Sequence, residues 1–192
     1  TLAGEIVAQV SGQDYQKYIT ENIIKPLGLE DTRPYMPHDL HGTRLAIGYS
    51  AKTREGDRKK MPFFQANAIT PAAGFSSTAE DLAKFAAWQM RLLEGGKNKI
   101  LQSKTLKEMH RVHWLDADWE TTRGLGFGVY RRHNITFVGH GGSCPGYRSA
   151  VMLQAKNKTA VIFMANALGV DAGSYAQGAY RISIPAITAA EE

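Results

Sequence analysis

Apolar residues recur every fourth position at the start of the chain, at Leu2, Ile6 and Val10. That spacing predicts a helix, with Gly12 placed to close it. Asp14 is positioned to cap a second helix whose apolar side is Tyr15, Tyr18, Ile19 and Ile23, and Pro26 stops it. Residues 30–72 hold no sustained period. Charges, prolines and glycines dominate there, which predicts a long loop-rich excursion anchored by Phe63 and Phe64. Periodicity returns behind two overlapping capping boxes, Ser77 with Glu80 and Thr78 with Asp81. The helix that follows is expected to run to about Glu94, to turn Leu82, Phe85, Ala86 and Leu93 toward the core, and to end at Gly95-Gly96. Ser103 starts another through about Val112, with Leu106 and Met109 inward.

From Gly124 the period changes to that of strands. Residues 126–130 and 134–138 predict a hairpin around Arg131-Arg132-His133. Residues 149–155 and 159–165 predict a second, turning at Lys156-Asn157-Lys158. Ala160-Val161-Ile162-Phe163-Met164-Ala165 is apolar without alternation, as in a strand buried on both faces with helices covering both sides of its sheet. Asp171 can cap a final helix carrying Tyr175, Ala179 and Ile182, interrupted at Pro185.

Composition narrows this little. The chain has 192 residues, enough for one domain with a core, and its 43% hydrophobic and 21% charged content is ordinary. No apolar run reaches the length of a membrane span. The net charge of +5 is modest, and the clusters at Arg58-Lys59-Lys60 and in residues 97–107 read as a solvated face rather than a nucleic-acid site. A single cysteine, Cys144, excludes an internal disulfide. His110 and His113, with Asp116 and Asp118 behind them, have a spacing that can hold a metal, but H-E-x-x-H and a third ligand are missing. They read as a partly exposed helical pair, and no metal or other cofactor is expected.

The chemically distinctive stretch is Ile135-Thr136-Phe137-Val138-Gly139-His140-Gly141-Gly142-Ser143-Cys144-Pro145-Gly146-Tyr147. Its first four residues are β-branched or aromatic and predict a short strand. Gly141 and Gly142 allow the backbone to lie close to another chain or a ligand, and Pro145-Gly146 reads as a tight turn. A glycine-flanked histidine at a strand end, beside bare N–H groups, suits a site that stabilises developing negative charge. A β-turn with an exposed histidine fits the same residues.

The stretch resembles the third signature of the serine β-lactamase, penicillin-binding protein and esterase superfamily, in its branch where H-x-G replaces K-T-G. Here that signature reads His140-Gly141-Gly142-Ser143, followed by Pro145-Gly146-Tyr147. Further family-like segments stand in order: Leu2-Ala3-Gly4-Glu5-Ile6-Val7, Val10-Ser11-Gly12, Pro26-Leu27-Gly28-Leu29 with Asp31-Thr32, and Ala46-Ile47-Gly48-Tyr49. Pro71-Ala72-Ala73-Gly74-Phe75-Ser76-Ser77-Thr78 with Asp81-Leu82, and Gly124-Leu125-Gly126-Phe127-Gly128, complete the set. The resemblance covers nearly the whole chain.

The resemblance implies an α+β fold of β-lactamase/transpeptidase type, an antiparallel sheet flanked by helices. Residues 1–29 would end a helical region, residues 30–123 would form a loop-rich and helical pocket wall, and residues 124–192 the sheet and last helix. It implies acyl-enzyme chemistry on esters, β-lactams or D-amino-acid peptides. Ser143 would supply an oxyanion N–H, and His140 would replace the Lys near the family's Tyr, with one N–H to give to that Tyr or to substrate. Gly141 and Gly142 would let the strand approach substrate, and Tyr147 and Arg148 would line the pocket mouth. Cys144 reads as a passive neighbour. The chain contains no S-x-x-K, Y-x-N or S-x-N and does not begin with Met. It is therefore expected to be the C-terminal portion of a hydrolase whose nucleophile lies upstream, inactive alone and incomplete as a sheet. The partner expected is a small-molecule substrate, in a periplasmic or envelope setting or in the cytoplasm. A non-catalytic binding module on the same scaffold is the alternative.

Overall fold

The computed structural model describes residues 1–119, 121–132 and 134–189. The chain forms two compact units, the first made of Thr1–Lys84, Gly142–Arg148 and Met164–Val170. The second is made of Phe85–Gly141, Ser149–Phe163 and the chain from Asp171 onward.

In the first unit, α1 (Leu2–Ser11) ends on Gly12 at φ 66°, the left-handed cap that the glycine supplies without steric cost. Its apolar stripe does not pack, since Leu2, Ile6 and Val10 are 81%, 62% and 84% exposed. The helix packs instead through buried Gly4, where a Cβ would overlap the Pro71 ring. Asp14 caps α2 (Tyr15–Ile19), its carboxylate accepting from the Lys17 N–H at 3.0 Å. The chain then widens into one π-turn, Thr20–Ile24, with the Lys25 N–H bonded to the Thr20 carbonyl at 3.0 Å. Ile24 is the buried residue of that turn and Ile23 only half-buried.

Residues 30–72 are loop, with short 3-10 turns at His38–Leu40 and Asn67–Ile69 leading into α3 (Thr70–Ala73). Phe63 is half-buried and meets the rings of His38 and His41 edge-on, at centroid distances of 4.8 and 5.0 Å. At the start of α4 (Ala79–Leu93) only half a capping box forms. The Thr78 hydroxyl accepts from the Asp81 N–H at 3.2 Å, but the Asp81 carboxylate turns elsewhere. It accepts from the Asp31 N–H at 2.7 Å and the Thr32 hydroxyl at 2.9 Å, and it pairs with Lys84 at 3.1 Å. Ser77, expected to cap, instead bonds its hydroxyl to that of Thr32 at 2.7 Å. Burial works to raise the Asp81 pKa; the Lys84, Asp31 and Thr32 donors outweigh it and hold the carboxyl below the usual range.

The second unit carries α5 (Ser103–Met109) and most of a six-stranded antiparallel sheet. Its strands are β1 (Trp114–Leu115), β2 (Thr122–Arg123), β3 (Gly128–Arg132), β4 (Ile135–Cys144), β5 (Tyr147–Gln154) and β6 (Thr159–Ala165), neighbouring in that order. The sequence predicted four strands; β1 and β2 are too short to show a period. Arg131 and Arg132 pair with Thr136 and Ile135, so they extend β3 rather than form the turn. His133 lies outside the described residues.

Alternation along β5 sorts the core. Val151 and Leu153 pack with Ala86, Met90 and Leu93 of α4. Ala150 packs with Ala172 and Ala176, and Met152 with Tyr180, all on α6 (Ala172–Ala189). Helices thus cover both faces, as expected. β6 is nonetheless half-buried, because it is the last strand of the sheet. Asp171 caps α6 through the Ser174 N–H at 3.0 Å and the Ser174 hydroxyl at 2.6 Å. The helix packs by Ala172, Ala176 and Tyr180, while Tyr175 and Ile182 are 59% and 81% exposed. Pro185 lies inside it without ending it.

The His110 and His113 reading changes. α5 ends at Met109, so they are not a helical pair. His110 Nε2 donates to the Gln89 side-chain oxygen at 3.0 Å, and its ring packs edge-on against Phe127 at 4.7 Å. Among the described residues no group of three or more His, Cys, Asp or Glu is placed to hold a metal. No helix there is long and apolar enough to cross a membrane. Burial pushes the His110 pKa from 6.5 down to about 4. The unfolded chain therefore takes up the proton first. Stability from neutral His110 is full above pH 6.5 and is lost as pH falls toward about 4. Between about pH 7 and 5 we expect urea titrations to show a loss on the order of 1 kcal/mol, discounted for partial exposure, that is absent in His110→Gln.

Candidate active site

The glycine run does not end β4. The strand passes through His140, Gly141, Gly142 and Ser143 to Cys144. Its pairing with β3 stops at Gly128↔Gly139, so residues 140–144 run on beyond the last β3 partner. His140, Gly141 and Ser143 are exposed there. The sequence placed the histidine at a strand end; it lies within a ten-residue strand, at the point where one ladder stops.

His140 and Gly141 belong to the second unit. The His140 Nδ1 lies 2.6 Å from the Gly141 carbonyl oxygen. An oxygen of that kind only accepts, so Nδ1 carries the hydrogen, and in the neutral ring Nε2 is an acceptor. The free N–H expected for a neighbouring Tyr or substrate is thus already used on the strand itself. The glycine that close approach requires is Gly139, where a Cβ would overlap the Val151 carbonyl. At Gly141 a Cβ would meet only the Ser149 oxygen, at an ordinary 3.8 Å.

Gly142, Ser143, Tyr147 and Arg148 belong to the first unit. The turn there is held against residues 46–49. Gly146 has φ 88° and its backbone meets that of Gly48 so closely that a Cβ on Gly48 would sit 2.8 Å from the Gly146 Cα. The Tyr147 hydroxyl donates to the Ala46 carbonyl at 2.7 Å. Arg148 Nη1 donates to the carbonyls of Tyr147 at 2.9 Å and Cys144 at 3.4 Å. Both side chains brace the turn. Burial pushes the Cys144 thiol up against the lowering influence of Arg148, which disfavours the nucleophilic thiolate. The close backbone approaches at Gly139 and between Gly48 and Gly146 were not read from the sequence. The signal was faint: Gly48 stands in the family-like Ala46-Ile47-Gly48-Tyr49 segment, but nothing in the sequence paired it with Gly146.

The model of the Beta-lactamase family matches residues 1–182. The chain belongs to that family. Among curated relatives, "Putative beta-lactamase-like 1" from Homo sapiens is 32% identical over 108 residues, 56% of this chain and 20% of that protein. "Putative penicillin-binding protein PbpX" from Bacillus subtilis (strain 168) is 26% identical over 166 residues, 84% of this chain and 37% of its own length. Among solved structures, the octameric penicillin-binding protein homologue from Pyrococcus abyssi superposes with a TM-score of 0.80 at 24% identity, covering 94% of this chain and 40% of that one. D-amino acid amidase from Ochrobactrum anthropi SV3 gives 0.70 at 26% identity, covering 86% and 47%. The fold is of β-lactamase/transpeptidase type. This chain spans about a fifth to two fifths of the curated relatives and under half of these two structures.

The two glycines separate packing from chemistry. Gly139→Ala should lower stability by roughly 1–3 kcal/mol, because β5 must move to admit the methyl group. Gly141→Ala should stay within about 0.5 kcal/mol of wild type. Urea midpoints of the two variants test this; equal midpoints would refute the assigned contact.

Proposed function

We propose that this chain supplies the His140-to-Ser143 strand of a serine hydrolase that works through an acyl-enzyme on esters, β-lactams or D-amino-acid peptides. The nucleophile and its Lys would come from an S-x-x-K outside this sequence. The observation carrying this reading is the run of β4 past its β3 partners, which offers exposed backbone at the residues that match the family signature. An acyl transfer needs donors aimed at the developing oxyanion, and strand N–H groups meet that need without reorganising. Ser143 would give such an N–H. His140, whose neutral Nε2 accepts, would receive a hydrogen bond from a hydroxyl such as the family's Tyr. The D-amino acid amidase similarity favours substrates related to D-amino-acid amides.

With no S-x-x-K, the chain by itself should not turn over a p-nitrophenyl ester or a chromogenic cephalosporin. Turnover abolished by a serine-directed covalent inhibitor would reveal an unassigned nucleophile. A longer form carrying S-x-x-K and Y-x-N should be active, and one lacking both would instead be the binding module.

In the active form the residue at position 140 should set charge preference, because a Lys there carries a permanent charge that attracts a substrate carboxylate. At about pH 8 the kcat/KM ratio of an ester bearing a carboxylate to its uncharged match should be roughly several-fold higher in His140→Lys than in wild type. A ratio unmoved by the substitution overturns this role for position 140.

A further inference from the structure

A recess lies in the second unit, between α6 and the paired ends of β3 and β4, and it uses none of the residues of the hydrolase reading. It holds about 510 Å³ and is lined by Arg132, Ile135, Phe137, Gly178, Arg181 and Ile184, among others. That volume falls in the range of small-molecule sites. Ile135, Phe137 and Ile184 belong to one apolar cluster with Tyr180, so the floor is greasy. Arg132 and Arg181 stand on different elements, and neither pairs with a carboxylate among the described residues; Arg132 donates to the Arg131 carbonyl at 3.1 Å and lies over the Tyr130 ring at 6.0 Å, which leaves its remaining N–H groups for a ligand. Among the described residues no acidic side chain lines the recess.

Gly178 is the telling residue. A glycine inside a helix costs about 1 kcal/mol relative to alanine. Here neither packing nor backbone explains it, since a Cβ would meet nothing within 4 Å and φ is not positive. What the missing side chain does is keep the wall of the recess open. From Ser174 to Ile184 the wall spans ten residue steps, about 15 Å of helix. That length suits a chain of roughly ten carbons.

We propose that this recess binds an aliphatic carboxylate, with its chain on Ile135, Phe137 and Ile184 and its head between Arg132 and Arg181. Guanidinium and carboxylate form charge-assisted, planar pairs, and cations without a carboxylate partner beside an apolar floor favour such a ligand over a neutral or cationic one of the same length.

Titration calorimetry of the purified protein with decanoate, decanol and decyltrimethylammonium, each below its micelle concentration, tests the site. Decanoate should saturate one site, decanol should bind at least roughly tenfold more weakly, and the ammonium should not bind. Arg132→Gln and Arg181→Gln should each weaken decanoate by roughly tenfold while leaving decanol unchanged. Gly178→Leu should abolish binding of both with no fall in melting temperature. The proposal is overturned by the absence of saturable decanoate binding, by equal affinity for the three head groups, or by arginine variants that bind like wild type. It is equally overturned if folded Gly178→Leu still binds. Loss of saturable binding in a longer form of the protein would show the recess to be the seat of another segment, and would also overturn it.

Discussion

The structure depends on how closely β4 and β5 approach at Gly139. Any side chain at that position would collide with the Val151 carbonyl, so the pairing exists only because the residue has none. β5 in turn divides the core: Val151 and Leu153 serve α4, Ala150 and Met152 serve α6. A shift of one residue in β5 would exchange the two sets and put the wrong volumes against each helix.

The first unit relies on polar anchoring where apolar pattern is scarce. Residues 30–72 have few large buried side chains, yet Asp81 ties residues 31 and 32 to the first turn of α4 through two accepted hydrogen bonds and an ion pair. Arg58 does the same at the other end of the excursion, donating to the carbonyls of Ser50 at 2.6 Å and Leu168 at 2.7 Å. A buried carboxylate with three donors is costly to disturb and cheap to keep, which suits a segment that cannot be held by a hydrophobic face.

What could be read from the sequence was mostly local. The caps at Gly12, Asp14 and Asp171 are decided within four residues, and each formed as expected. Burial was not local. Leu2, Ile6 and Val10 have the spacing of an inward stripe, yet they are exposed, because periodicity marks a face without naming what covers it. One π-turn moved burial from Ile23 to Ile24, a rotation that composition does not announce. The family signature drew attention to residues 140–147, but its glycines were read as the end of a strand. Pairing with β5 carries the strand through them, and the steric need lies at Gly139, one residue before the histidine.

The bond from His140 Nδ1 to the Gly141 carbonyl links a titratable ring to the peptide group that joins Gly141 and Gly142. Hydrogen bonds in series polarise one another. The N–H that the ring gives draws electron density toward the Gly141 oxygen and leaves the Gly142 N–H a stronger donor. The imidazole thereby reaches the next amide of the strand through the backbone itself, and a side chain is expressed as the dipole of a peptide group.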